Sequence, residues 1–349
     1  MTDLMDIVEY NEKQNENVSE KVAEQASQLL SFNKEYYNVK KELILYSQFP
    51  HISHKIYELK DHKYFGIVSC VAMYDNYLFV GNSSGIIRVF DVKTSKEMKP
   101  LIDDQVDRVK VTCITLTDDG AYLLSGYKKG QLILWDLQKY KMAKIIPDAH
   151  QGEVTNCKIF HVTDEGTVNI VSSEDAGKVK FIEVVRKNLF GGYNHHVYNL
   201  IDKRLKGTAS IAVQRPSDLY PSGFCDHRSL VAFGAVNEVL ISSMRPIESL
   251  FNLRKPKMIK ENKVAYLDWG YGLTPKIRDR TLNILAVAWD NLIQLVYINE
   301  QPCKVTVELD GYYLMDHNEE INSIFFMGDS ILVALVNQKE VKVLYTPKF

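Results

Sequence analysis

One octet recurs three times along this chain. Gly85-Ile-Ile-Arg-Val-Phe-Asp-Val returns as Gly130-Gln-Leu-Ile-Leu-Trp-Asp-Leu and again, worn, as Gly177-Lys-Val-Lys-Phe-Ile-Glu-Val. The glycines are spaced 45 and then 47 residues apart. A period near that length is one supersecondary unit that cannot bury its own faces and must stack on its neighbours.

The segments upstream of each octet repeat as well. Val68-Ser-Cys70-Val, Val111-Thr-Cys113-Ile and Asn156-Cys157-Lys-Ile place their cysteines 43 and 44 residues apart. Cysteines at equivalent points of a repeat read as small buried hydrophobes in one strand of each unit. Between them lie second strands: Tyr77-Leu-Phe-Val80, Ala121-Tyr-Leu-Leu124 and Val168-Asn-Ile-Val171. Short β-branched and aromatic runs with turn signals every 8 to 12 residues indicate an all-β fold.

Three further hairpins follow. Ser229 to Phe233 turns at Asn237-Glu into Val239 to Ser242. Asn283 to Ala288 turns at Asp290-Asn291 into Ile293 to Tyr297, and Ile331 to Val336 turns at Asn337-Gln into Val341 to Tyr345. The expected architecture is an all-β, WD-repeat-like β-propeller of six to seven blades. Trp135, in a third strand, is expected to pack between adjacent sheets.

Composition narrows the function. With 42 basic against 44 acidic residues the formal net charge is -2, whereas a nucleic-acid binder carries a basic excess. The five cysteines (Cys70, Cys113, Cys157, Cys225, Cys303) form no CxxC pair at zinc-ligand spacing. The start, Met-Thr-Asp-Leu-Met-Asp, lacks the basic and apolar regions of a signal peptide. No run of 18 apolar residues occurs. These features give a cytoplasmic protein, with no nucleic acid, metal, cofactor or small-molecule substrate expected.

The two ends differ from the repeat. Residues 1–34 form an acidic arm carrying Asp3, Asp6, Glu9, Glu12, Glu16, Glu20 and Glu24. Val18, Val22, Ala26, Leu29 and Leu30 recur there at helical spacing, so the arm reads as a short amphipathic helix or as a disordered segment. Residues 35–349 are assigned to the propeller. The chain stops straight after a third-strand candidate. Either an N-terminal strand closes the ring, with Ile52 to Leu59 a candidate, or the chain is one piece of a longer protein. The second is the expectation.

The stretch Leu123-Leu-Ser-Gly-Tyr-Lys-Lys-Gly-Gln-Leu-Ile-Leu-Trp-Asp-Leu-Gln, followed by Asp148-Ala149-His150, resembles the N-terminal propeller of the vacuolar protein sorting-associated protein 8 family. The order behind it is also similar: Phe181-Ile-Glu-Val with Arg186-Lys187, the Leu230 to Ile241 hairpin, Leu267-Asp268-Trp269, and Glu320-Ile-Asn-Ser323. The resemblance spans residues 65–345 and is most distinctive over 122–150. It implies the early-endosome-specific subunit of the CORVET tethering complex, a non-enzymatic scaffold in endosome fusion and vacuolar or lysosomal protein sorting. The implied partners are class C core subunits and an early-endosomal Rab GTPase, with peripheral membrane association at most. The solenoid and RING cysteines of that family are absent from these 349 residues. The alternative is a stand-alone WD-repeat scaffold in a ciliary or cytoskeletal assembly, since fold does not fix function.

The chemistry-bearing residues read mainly as structure. Trp135, Asp136, His150 and Asp175 are expected blade anchors, with His150 pairing Asp175 in the third blade. In the second blade Lys128 stands where an Asp is usual. Asp118-Asp119-Gly120 is a turn before it is a carboxylate pair. His195 and His196 are read as a solvated loop, since adjacent strand residues point to opposite faces and rarely share an ion. Two basic clusters remain, Lys203-Arg204-Leu-Lys206 and Arg254-Lys255-Pro-Lys257, the second extending through Lys260 to Lys263. Arg254, Lys255, Lys257 and Lys260 are candidates for contact with an anionic surface, although the Phe-Arg-Arg-Gly motif of phosphoinositide-binding propellers is missing. No GxxxxGK or GxSxG motif occurs.

Overall fold

The computed structural model describes residue 52 and residues 66–102, 108–117, 119–163, 165–187, 192–201, 210–213, 230–244, 247–260, 263–270, 282–301, 304–327, 331–337 and 340–345. Within them the regular elements are 23 β-strands in six antiparallel sheets. The first sheet holds β1 (Val68–Tyr74), β2 (Tyr77–Asn82), β3 (Ile87–Asp91) and β4 (Lys96–Glu97). The second holds β5 (Val111–Leu116), β6 (Tyr122–Tyr127), β7 (Leu132–Asp136) and β8 (Lys141–Ile146). The third comprises β9 (Val154–Val162), β10 (Val168–Glu174), β11 (Val179–Arg186) and β12 (Tyr193–Ile201). The fourth comprises β13 (Ser210–Val213), β14 (Leu230–Gly234), β15 (Glu238–Met244) and β16 (Ile247–Arg254). The fifth has β17 (Tyr266–Trp269), β18 (Leu282–Trp289), β19 (Leu292–Gln301) and β20 (Lys304–Leu314). Three strands make the sixth: β21 (Ile321–Met327), β22 (Ile331–Val336) and β23 (Glu340–Tyr345).

Each sheet is a simple meander in which sequence neighbours pair, so each blade is built from local contacts and stacks on the next. The hydrophobic core is divided accordingly. Phe79, Ile87 and Val89 of the first sheet pack with Leu123, Ile133 and Trp135 of the second. Leu124, Leu132 and Leu134 then meet Val154, Ile170 and Ile182. Phe160, Val171 and Phe181 meet Ile211, Val231 and Phe233. Ala232 and Ile241 meet Leu285, Val287 and Trp289, and Ile293 and Leu295 meet Phe326, Leu332 and Ala334. Such two-sided burial is what makes β14, β18 and β22 continuously apolar. The architecture is an all-β, WD-type propeller of six blades among the described residues.

The repeating glycine has a physical cause. Gly85, Gly130 and Gly177 sit in the turns between second and third strands at φ of 79°, 86° and 78°, a region that only glycine enters freely. A Cβ on Gly130 would also stand 2.1 Å from the carbonyl oxygen of His150. The cysteines obey a different rule. Cys70 and Cys113 lie opposite Gly81 and Gly126, and each thiol fills the space that a Cβ on that glycine would need. Cys157 is buried and its Sγ is 3.4 Å from that of Cys113.

Ile52, expected to open a closing strand, is helical instead, and it is fully buried against Leu78, Val80 and Phe90 of the first sheet. Residues 53–59 of that candidate and the acidic arm lie outside the described residues.

Candidate functional site

The connections between sheets and the turns between second and third strands gather at one end of the molecule, tied by backbone hydrogen bonds. Lys128 N–H donates to Lys110 O (3.0 Å), His150 N–H to Gly130 O (2.9 Å), Asp175 N–H to Glu153 O (2.9 Å) and Lys255 N–H to Asn237 O (2.9 Å). The same pattern continues with Met315 to Asn291 (2.8 Å) and Asn337 to Glu320 (2.8 Å). This end is a row of short loops on a rigid scaffold, the usual place for recognition.

Beneath it lie the polar anchors, split between two blades. In the second, the Trp135 indole N–H donates to Ser125 Oγ at 3.0 Å, and both residues are buried. Asp136 follows on the same strand and caps the next turn. Its Oδ1 accepts from Lys139 N–H (2.9 Å) and its Oδ2 meets Lys139 Nζ (2.6 Å). Burial raises the Asp136 carboxyl, but the Lys139 hydrogen bonds and charge outweigh it and hold the group below its ordinary value. Asp91 repeats the cap in the first blade, accepting from Lys93 and Thr94 N–H.

In the third blade His150 Nε2 is 2.8 Å from Ser172 Oγ, and its Nδ1 is 3.5 Å from Glu174 Oε2. Asp175, the expected partner, is not the residue that meets His150. Ser172 and Glu174 are two apart on β10 and so project to one face, whereas Asp175 lies in the following turn beside Gly152. Glu174 Oε2 also accepts the backbone N–H groups of Gln151 (3.0 Å) and Gly152 (3.2 Å). Desolvation pushes the His150 imidazole down to about 4, with the Lys180 charge adding to it and Glu174 opposing. The ring is therefore neutral near neutrality. Desolvation raises the Glu174 carboxyl, yet the two amides, His150 and Lys178 bring it below its usual value. A serine, a histidine and a carboxylate in line have the parts of a hydrolytic triad. Here all three side chains are buried, so Ser172 has no face for a substrate and the trio fastens a loop.

The remaining candidates are dispersed. Asp119 Oδ1 accepts from Ala121 N–H (2.9 Å) and Thr117 Oγ1 (2.6 Å), which makes it a turn residue; Asp118 lies outside the described residues. His195 and His196 are not in a loop, as expected, but inside β12, paired with Val184 and Glu183. The outer strand had been hidden by its mixed, half-exposed pattern. Lys203, Arg204 and Lys206 lie outside the described residues. Arg254 ends β16, and Lys255, Lys257 and Lys260 follow in the passage to the fifth sheet. Lys263 is engaged by Glu320 Oε1 at 2.8 Å and Asp290 Oδ1 at 3.7 Å.

Sequence reasoning missed Ser125, Ser172 and Glu174. Ser125 and Ser172 each stand five residues before the repeat glycine, a signal that was available. It also missed Asp268, whose Oδ2 accepts Phe326 N–H at 2.8 Å and clips the inner strands of the fifth and sixth blades together.

The family model described as the Vps8 beta-propeller matches residues 42–348. The chain belongs to the Vps8 β-propeller family. The murine (Mus musculus) "Vacuolar protein sorting-associated protein 8 homolog" is 28% identical over 145 residues, which are 40% of this chain and 10% of that protein. The chain thus aligns with a small part of the length of that curated relative. Among solved structures, the Cps50 (Swd1) propeller domain of Myceliophteria thermophila superposes with a TM-score of 0.56 at 16% identity, covering 81% of this chain and 87% of that one. The computationally designed Ika8 protein gives 0.53 at 18%, covering 81% and 72%. A chain of the Mitotic Checkpoint Complex gives 0.52 at 13%, covering 79% and 73%. At these identities the solved structures speak to fold alone. Among the described residues of this Vps8-type propeller, no helix is long and apolar enough to cross a membrane.

Proposed function

We propose that this propeller is the non-enzymatic protein-interaction module of an endosomal vesicle-tethering subunit, acting in endosome fusion and vacuolar or lysosomal protein sorting. The observation that carries the reading is the match of the Vps8 beta-propeller family to residues 42–348. The geometry supports a binding role. The Ser172, His150 and Glu174 side chains are spent inside a blade, while the loop end is exposed, rigidly backed and varied in charge. In this reading the partners are class C core subunits of the tethering complex and an early-endosomal Rab GTPase, and the site of action is the cytoplasmic face of early endosomes. Residues 1–34 act as a separate acidic arm, and 35–349 as the propeller.

The test is affinity purification of the tagged native protein at low salt, with partners identified by mass spectrometry. Core tethering subunits and an endosomal Rab in the eluate are the expected result. Ciliary or cytoskeletal partners without any core subunit would overturn the assignment.

A further inference from the structure

The passage from the fourth to the fifth blade is strongly basic. Between Arg254 and Lys260 the sequence carries four cations and no acid. Arg254, Lys257 and Lys260 are exposed, and among the described residues none of the three has an ion-pair partner. The nearest acid in register, Glu238 across the strand from Arg254, takes the amide of Asn252 at 2.7 Å.

The loop is also held in shape. Ile259 is 7% exposed and belongs to the core shared by the fourth and fifth blades. Its N–H donates to Pro256 O at 3.1 Å, closing a turn over Lys257 and Met258. Lys255 N–H is tied to Asn237 O. Met258 stands at the tip of that turn and is 55% exposed, an apolar side chain with cations on both sides. A water–lipid boundary accepts both parts, since phosphates attract the cations while the acyl edge takes the thioether.

We propose that the Arg254–Lys260 loop docks on the headgroup region of an anionic lipid bilayer, with Met258 entering the acyl boundary and Arg254, Lys257 and Lys260 meeting lipid phosphates. This goes beyond the tethering role and stands independently of it, because lipid alone is the ligand.

The experiment is flotation of the full 349-residue chain with vesicles of phosphatidylcholine, with and without phosphatidylserine. The chain is expected to float only with the phosphatidylserine vesicles and to be released by salt. Neutralising Lys257→Gln with Lys260→Gln should weaken partitioning by about fivefold per charge. Met258→Ser should weaken it severalfold while leaving the salt dependence unchanged. Lys93→Gln with Lys96→Gln, exposed on the first blade, should bind as the parent does. Thermal melts of each variant confirm folding, and Arg254→Gln serves as a second neutralising change if the double variant unfolds. The proposal fails if the parent chain ignores phosphatidylserine or if the loop substitutions leave binding intact. It fails equally if Met258→Ser has no effect and polyglutamate competes fully, for the loop would then be a receptor for an acidic polypeptide.

Discussion

Replacing Trp135 with alanine tests the stacked-blade reasoning most directly. The side chain is 2% exposed and lies between Phe79, Ile87 and Val89 of the first sheet and Leu123 and Ile133 of its own. An aromatic of this kind buries about 150–250 Å², which at about 25 cal/mol per Å² corresponds to about 4–6 kcal/mol as an upper figure. Alanine keeps part of that area, and partial collapse of the two sheets offsets some of the cavity. The expected loss is about 3–5 kcal/mol. Trp135→Phe largely separates packing from polarity, because it keeps an aromatic ring and most of the volume while it removes the indole N–H. Ser125 Oγ retains Ile133 O and the Tyr127 hydroxyl at 3.3 Å each, so no buried group is orphaned, and the cost should be about 1–2 kcal/mol. The assay is urea unfolding followed by far-ultraviolet circular dichroism, which stays usable when a tryptophan is removed. A Trp135→Ala cost below about 1 kcal/mol, or a Phe variant as damaged as the Ala variant, would refute inter-blade packing as the main role.

Acid should weaken the fold through His150. Its folded value near 4 lies below its ordinary 6.5, so the unfolded chain binds the extra proton and stability is lost as pH falls from about 6.5 toward 4. Between pH 7 and pH 5 the expected loss is about 2 kcal/mol, read from denaturant midpoints, and His150→Gln should flatten that slope. The lowered Glu174 carboxyl acts in the same direction at lower pH, its contribution disappearing as the group protonates. Gly130→Ala combines a positive φ with a Cβ 2.1 Å from His150 O. It should cost at least about 2 kcal/mol, whereas Gly192→Ala meets nothing within 4 Å and should cost less in the same melts. Asp136→Ala removes the turn cap and should cost about 1 kcal/mol, measurable by the same urea titration.

The readable part of the sequence was the part buried on both sides. Second and third strands such as β6 with β7, or β18 with β19, sit between neighbouring blades. They are therefore apolar, regular and punctuated by turns that need glycine or asparagine. Outer strands had no such signal. β12 reads Tyr-Asn-His-His-Val-Tyr-Asn-Leu-Ile with exposed and half-exposed residues intermixed, because one edge faces solvent and only β11 dictates its course. The Lys96–Glu97 strand is two residues long and is fixed by the Arg88 guanidinium, which grips Glu97 with two 2.7 Å hydrogen bonds. No periodicity can announce such an element. The His150 partner was misplaced by one residue for a related reason. A turn aspartate is the usual partner in WD repeats, and only the face alternation along β10 selects Glu174. The exposed cationic loop was legible as composition, but its shape was not, since it depends on Ile259 reaching a core assembled from two neighbouring sheets.

The distribution of anchors bears on why so little sequence identity suffices for this fold. A complete polar anchor would tie indole, hydroxyl, imidazole and carboxylate within one blade. Here the second blade keeps the indole and hydroxyl (Trp135, Ser125), and the third keeps the hydroxyl, imidazole and carboxylate (Ser172, His150, Glu174). Blades four to six rely on other means. Trp289 N–H bonds Gln294 across a single hairpin at 2.7 Å, Asp268 clips β17 to β21, Lys263 bridges to Glu320, and apolar burial between sheets backs them. Burial of this type is non-directional and tolerates exchange of one aliphatic side chain for another of similar volume. Each blade can therefore lose its polar signature while the stack persists, provided the glycine turns and the sheet-to-sheet volumes are kept. Constraint from folding then falls on the interior, which leaves the loop end free to carry charge and apolar tips without cost to the stack.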